Sequence, residues 1–468
     1  MLAIQRIIIG NESIYMKFNF IILTVFLLLS SCKKEVDQQP SGSYAVSGQI
    51  INTIGIGIEG VQVFYSEMDF VLTKNDGTYT IDSISGTHSI APIFSNYAFT
   101  PPSIVVNAFN DNAHFSAGIL EGEIDLQIYH WLSEQQLPNG LVESVENGNI
   151  VSLYDNALAS MAFMLKGDDT KAEKIFDFFN ARIGSELNNG VGGFSQFRNN
   201  NGVPSNHRWM GDNAWMLIAL NHYKKLTGNS TYDLLASEIA NWLIGLQDSD
   251  GGLFAGYDSN NSRLNYKVTE GMIDAFNAID GYSDFHSRLL QFLAVDRWDS
   301  TDKNLVAWPG NPNYLFALDL HPWSYSIFQD YPISALTSAQ RFITTQTATN
   351  GALITGYCFD EDKDVVWPEG TGQMAVAFGL AGMHDEKAFY LSEMEKVLLQ
   401  SSIHTNAAGF PYASNPGTTY ASDVLWNGAD TEIAVSGGVW YLFAKYGFNP
   451  FAAGREKYIP ETDMFWLN

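Results

Sequence analysis

The chain has 468 residues, with 51 acidic against 25 basic side chains and a formal charge of −26. That surplus excludes nucleic acid as a partner, because neutralising phosphates needs a basic face; it also favours neutral over polyanionic substrates. The only two cysteines, Cys32 and Cys358, exclude a disulfide framework and a cysteine-rich metal site, and Cys358 reads as a small buried hydrophobe.

Met16-Lys17 precedes the apolar run 18–29, which ends in Leu29-Ser30-Ser31-Cys32. This is the layout of a lipoprotein signal peptide, so residues 1–32 read as a signal region with its true start at Met16 and lipidation at Cys32. The run is too short for a convincing membrane span. Residues 33–42 are a polar tether. The expected location is the cell envelope, at the outer membrane, periplasmic or surface-exposed, held through a lipid anchor only.

Residues 43–118 carry short alternating runs of Val, Ile, Tyr and Phe separated by Gly, Asn, Asp and Pro, the pattern of strands with tight turns. Val46-Ser47-Gly48-Gln49-Ile50, Gly60-Val61-Gln62-Val63 and Thr73-Lys74-Asn75-Asp76-Gly77-Thr78-Tyr79 resemble the carboxypeptidase regulatory-like, transthyretin-type β-sandwich. Asp76-Gly77 supplies a pair that tolerates positive φ at a hairpin. There is room for seven strands, and no chemistry is visible in them.

From 119 to 455 the pattern changes. Six apolar runs rich in small residues begin at Tyr154, Gly211, Val268, His321, Trp367 and Ala429. They recur every ~50–60 residues, a period that holds two helices. Between them lie more charged amphipathic segments, near 121–136, 171–183, 232–247, 283–298, 334–345 and 386–400, that read as outer helices with one wet face. Pro332 shortens the fourth inner run. Six inner and six outer helices make an all-α (α/α)6 toroid, so the fold class is multidomain: a small all-β sandwich followed by an all-α toroid. Residues 456–468 read as a C-terminal tail.

At this point the chain resembles the six-hairpin glycosidase superfamily over roughly residues 120–450. Thr269-Glu270-Gly271-Met272 is similar to the segment around the general acid of family 8 glycoside hydrolases, and Pro368-Glu369-Gly370-Thr371-Gly372-Gln373 has the same Glu-Gly character. The resemblance implies a carbohydrate substrate and mostly inverting chemistry, in which two carboxyl groups stand roughly 6.5–9.5 Å apart.

The candidate residues follow from where the acids fall. Asp155, Asp212, Glu270, Glu369, Asp430 and Glu432 sit at or near inner-helix starts. Any one of them is ordinarily a cap. Parallel inner helices, however, bring all of them to one end of the ring. Glycoside hydrolysis needs one carboxylic acid and one carboxylate, so Glu270 and Glu369 are expected as acid and base in either order, each followed by a glycine that leaves room for substrate. Asp155 and Asp212 are their reserves, and Asp430 a hydroxyl ligand. Trp209, Trp215, Trp308, Trp323, Trp367 and Trp426 lie near the same helix starts, where an indole face can stack on a sugar ring. His207 and Arg208 complete the expected substrate-binding set. With Tyr154 they would also serve the first alternative, a polysaccharide lyase; the second is a non-catalytic glycan-binding lipoprotein.

Other motifs carry less. Asp360-Glu361-Asp362-Lys363-Asp364 has alternating carboxylates, but Val365 and Thr371 stand where an EF-hand needs Gly and Glu. Gln247-Asp248-Ser249-Asp250-Gly251-Gly252 reads as a structural turn ending an outer helix. No metal and no cofactor are expected, for the chain lacks a His-Glu-x-x-His, a Walker loop, a Gly-x-Ser-x-Gly and a dinucleotide fingerprint.

Overall fold

The computed structural model describes residues 43–52, 55–66, 69–94, 97–119, 122–311, 314–420 and 423–467. The signal region, Cys32 and the tether lie outside the described residues. Two compact units divide the chain, one made mainly of residues before 118 and one from Gly118 onward.

In the first unit, β1 (Tyr44–Asn52), β4 (Thr78–Ile84), β6 (Tyr97–Thr100) and β8 (Phe115–Ile119) form one sheet in the order β4-β1-β8-β6. The second sheet runs β3-β2-β5-β7, with β2 (Gln62–Phe64), β3 (Phe70–Leu72), β5 (His88–Ile93) and β7 (Ile104–Val106). Alternation puts Val46, Ile50, Tyr79, Ile81, Val63 and Ile90 in the core. The described strands thus number eight rather than seven. Asp76-Gly77 does not close a hairpin, because β3 and β4 belong to different sheets. It turns the chain from one sheet to the other, with Gly77 at φ +77°, where an added Cβ would stand 2.2 Å from the Ile50 carbonyl oxygen.

Twelve helices of the second unit alternate between outer and inner. The outer set is α1 (Glu123–Glu134), α3 (Asp169–Asn180), α5 (Asp233–Gly245), α7 (Asp284–Asp296), α9 (Ser334–Ser338) and α11 (His384–Glu395). The inner set is α2 (Leu153–Leu165), α4 (Met210–Thr227), α6 (Thr269–Ala278), α8 (Leu320–Ile327), α10 (Pro368–Leu380) and α12 (Val435–Tyr446). Successive inner helices pack on one another and α12 packs back on α2, closing the ring. The inner helices are enclosed on all sides over most of their length: every residue from Pro368 to Phe378 and from Val435 to Ala444 is buried. Small residues let them approach. Gly211 of α4 and Gly271 of α6 face each other, and a Cβ on Gly271 would lie 3.1 Å from the Gly211 nitrogen.

Three expectations change. The helix expected over 334–345 stops early, continues as a 3-10 turn (Ala339–Phe342), and gives way to the β-branched strand Ile343–Thr347, which pairs with Leu353–Tyr357. Gly251 does not end α5. It sits in the turn beyond, at φ +97°, and a Cβ there would meet the Arg288 carbonyl oxygen at 2.2 Å. Gln247 locks that turn by donating to the carbonyls of Gly251 and Phe285, and Gln136 makes the same pair of bonds to Gly140 and Lys171 two hairpins earlier, after α1. The C-terminal tail is part of the packed ring: Lys457 donates to the carbonyls of Phe276, Asn277 and Ile279 at the end of α6, and buried Trp466 donates to the Gln329 carbonyl.

No described helix is long and apolar enough to cross a membrane.

Candidate active site

The starts of the inner helices meet in a cavity of about 780 Å³. Each start but the last brings a carboxylate inside its first turn or at its N-cap: Asp155 on α2, Asp212 on α4, Glu270 on α6, Asp319 before α8 and Glu369 on α10. All five line the cavity, as do Asp274, one turn below Glu270 on the same face of α6, and Glu432 ahead of α12.

Asp319 and Asp274 were not among the expected site residues. Asp319 is the N-cap of α8, two residues before the expected start of that run at His321, and N-cap preference for Asp could have found it. Asp274 could have been found as the residue four beyond Glu270, on one helix face. Tyr412 and Tyr420 also line the cavity and lie in the long connection before α12, where no periodic signal marks them.

Of the expected aromatic set, Trp209, Trp215, Trp323, Trp367 and Trp426 line the cavity. Trp215 and Trp323 are buried at its floor, 5.3 Å apart by ring centroids, and Phe451 backs them at 4.9 and 5.8 Å. Trp426 is 42% exposed, with its ring 4.9 Å from Tyr412. Trp308 does not line the cavity; it stacks 4.7 Å from Tyr266, which in turn neighbours Trp209. Asp430 is also outside, its Oδ2 accepting from Thr349 at 2.5 Å, because the chain between it and α12 runs as the short strand Ile433–Ala434 instead of helix. His207 and Arg208 are turned away as well. Arg208 is buried, donating to the Asn206 carbonyl and to Asn261. Neither basic group therefore faces the cavity, and of the three residues a lyase would use there only Tyr154 remains.

The glycines after the two glutamates do not open space for substrate. A Cβ on Gly271 would strike Met210, and one on Gly370 would strike Trp367 and Leu318. They permit close packing behind the site.

Hydrogen bonds distinguish the two glutamates. Tyr154 Oη donates to Glu369 Oε1 at 2.7 Å and Gln373 Nε2 to the same oxygen at 3.3 Å; Trp440 Nε1 donates to Tyr154 Oη at 2.9 Å, fixing its direction. Tyr314 Oη stands 3.3 Å from Glu270 Oε2, and Gln196 Nε2 donates to Asp212 Oδ2 at 3.3 Å.

Burial dominates the electrostatics and outweighs the helix starts, which on their own lower an acid's pKa. Asp155 and Glu369 are pushed up to about 7, first by burial. Asp212 rises to about 8 through burial and then through the charges of Glu270 and Asp155. Asp274 is held well above the ordinary range by burial and by Glu270 and Asp319. Glu270 and Asp319 share a hydrogen bond: burial raises both, the bond opposes the rise at Glu270 and adds to it at Asp319. The proton between them belongs on Asp319.

Outside the cavity, the carboxylates of Asp360, Asp362 and Asp364 gather 3.6–3.9 Å from the Cys358 sulfur. Burial pushes that thiol up to about 12, which makes it unreactive.

Among solved structures, the chain is similar to a novel alpha-amylase from Clostridium perfringens, with a TM-score of 0.51 at 11% identity over 70% of this chain and 98% of that one. A glycosidase matches over 71% of this chain and 96% of its own at 10% identity and TM-score 0.48. A cellobiose 2-epimerase from Spirochaeta thermophila DSM 6192 matches over 70% and 95% at 12% identity and TM-score 0.48. At these identities the likeness is one of fold, and the amylase carries it: the helical unit shares the (α/α)6 toroid. No protein-family model and no curated protein matches the chain.

Proposed function

We propose that this chain is a glycoside hydrolase that cleaves a poly- or oligosaccharide by paired-carboxylate chemistry with inversion. The observation that carries the reading is the placement of Glu270 and Glu369 on inner helices α6 and α10, with one inner helix between them, both facing an aromatic-walled cavity. Glu369 is the proton donor. Tyr154 and Gln373 both occupy Oε1, so the acid proton sits on Oε2, and burial keeps it there near neutral pH. Glu270 is the base: Asp319, keeping its own proton, donates to it and opposes the rise that burial imposes, which favours the anionic form of Glu270 over that of Asp319. As the glycosidic C–O bond breaks, the Glu369 proton passes to the leaving oxygen. A water attacks the anomeric carbon from the opposite face and gives its proton to Glu270.

The test is a panel of neutral and uronic polysaccharides followed for new reducing ends and for the ultraviolet absorbance of unsaturated sugars. Reducing ends without absorbance support the proposal; absorbance would replace it with a lyase, and binding without either product with a glycan-binding protein. Glu270→Gln and Glu369→Gln should each lower turnover by orders of magnitude. A glycosyl fluoride, whose leaving group needs no proton, should rescue Glu369→Gln but not Glu270→Gln. The opposite pattern would reverse the two roles.

The β-sandwich is proposed as a carboxypeptidase regulatory-like spacer, and Cys32 as a lipid anchor at the cell envelope. Replacing Cys32 with Ala should abolish acylation, and unchanged lipid labelling would refute the anchor.

A further inference from the structure

Hydrolysis uses two carboxyl groups, yet seven line the cavity: Asp155, Asp212, Glu270, Asp274, Asp319, Glu369 and Glu432. No lysine, arginine or histidine among the described residues lines it with them. Nor does any of the seven make an ion pair among the described residues. Asp274 and Asp319 are 1% and 4% exposed, and Oδ1 of each is buried without a hydrogen-bond partner. Buried acidity of this kind is costly unless something compensates it.

The spacing narrows what the compensating group can be. Three or more cavity carboxylates do not bring their oxygens within 4.8 Å of one another; among the described residues only Cys358, Asp360 and Asp362 do so, elsewhere in the fold. A calcium ion draws its oxygens to 2.3–2.6 Å and so needs a tighter cluster. The hydroxyls of a neutral sugar would bond to these groups but bring no counter-charge, so the carboxyls would keep their protons. A primary ammonium brings three donors and a positive charge together.

The two carboxyls best placed for it are Asp212 and Asp274. They belong to adjacent inner helices that the Gly211–Gly271 contact draws together, and a Cβ on Gly211 would lie 3.4 Å from Asp274 Oδ2. Both stand next to Glu270, and Asp212 lies across the ring from Glu369.

We infer that the substrate is a glycan with free primary amines, a 2-amino-2-deoxy sugar, whose ammonium group sits between Asp212 and Asp274. An amine at C2 sits on the carbon next to the anomeric carbon, which puts it beside Glu270, the group that activates the attacking water. The identification of a glycan rests on the hydrolase proposal; the site for an ammonium group does not.

The test uses methyl glycosides, so that linkage plays no part. Methyl 2-amino-2-deoxy glycosides of gluco, galacto and manno configuration are titrated calorimetrically at pH 7 against their N-acetylated and 2-hydroxy counterparts. At least one amine should bind ten-fold or more tighter than both counterparts, weaken with salt, and release protons on binding. Asp212→Asn, checked for folding by near-ultraviolet circular dichroism, should abolish the preference. The inference is overturned if no amine binds, if no amine outbinds its hydroxyl counterpart, or if Asp212→Asn keeps the preference. Reducing-end assays on a partly de-N-acetylated chitin-type polymer and on neutral glycans separate the two proposals. Cleavage of neutral glycans without an amine preference removes this inference alone, whereas an amine preference with no cleavage of any glycan removes the hydrolase.

Discussion

Replacing Asp212 with Asn should make the toroid more stable at pH 8 and flatten its dependence on pH. In the native state this carboxyl titrates at about 8, whereas its ordinary value is 3.8, because burial and the charges of Glu270 and Asp155 oppose ionisation. The native state therefore holds a proton that the unfolded chain gives up. Unfolding releases that proton over the whole interval between the two values, so stability is full below the unfolded value and falls as pH rises towards the folded one. Between pH 5 and pH 8 this spans roughly three units at about 1.4 kcal/mol each, or ~4 kcal/mol lost from one group. Asn keeps the shape and still accepts from Gln196, which now bonds the carboxylate at 3.3 Å. All 11 tryptophans fall after residue 118, so indole fluorescence in a urea titration reports on the helical unit. The wild type should lose ~4 kcal/mol more than Asp212→Asn between pH 5 and pH 8. If the two lose the same amount to within ~1 kcal/mol, Asp212 is ionised in the native state and the reasoning fails.

Tyr154→Phe removes a donor to Glu369, so the glutamate's pKa should rise and the alkaline limb of the kcat profile should move to higher pH as turnover falls; an unmoved limb would take Glu369 out of that role. Trp426→Ala, at the exposed edge of the cavity, should raise KM several-fold with kcat largely kept, and a matching loss in kcat would place Trp426 at the reacting centre. Gly251→Ala forces both positive φ and a Cβ 2.2 Å from the Arg288 carbonyl oxygen, and should lower stability by more than ~1–3 kcal/mol in the same titration; a neutral change would show that the turn after α5 can move aside from α7.

Much of the architecture was legible because each level of it is local or periodic. A helix rich in small and apolar residues with no wet face, such as 368–378, contrasts with one that keeps a wet face, such as Asp169–Asn180, and alternation of the two kinds every ~50–60 residues specifies paired layers. The acids at inner-helix starts were legible for the same reason: Asp155, Asp212, Glu270 and Glu369 fall at a fixed phase of the pattern. Reading failed where the phase slipped. Asp319 escapes the pattern because the apolar run begins at His321, and Asp430 falls within it although the short strand Ile433–Ala434 separates it from the start of α12.

Sequence alone therefore determined that carboxylates and indoles gather at one end of a ring, since that follows from parallel helices with acids at their starts. What each carboxyl does there was decided by the tertiary structure. Helix starts argued for lowered pKa values, yet closing the ring buries these groups without a cation beside them, and desolvation outweighs the helix ends. Neither the Tyr154–Glu369 bond, 215 residues apart in sequence, nor the proton shared by Glu270 and Asp319 across two helices has any local signature. Such contacts exist only once six helix starts, each specified locally, are brought within reach of one another.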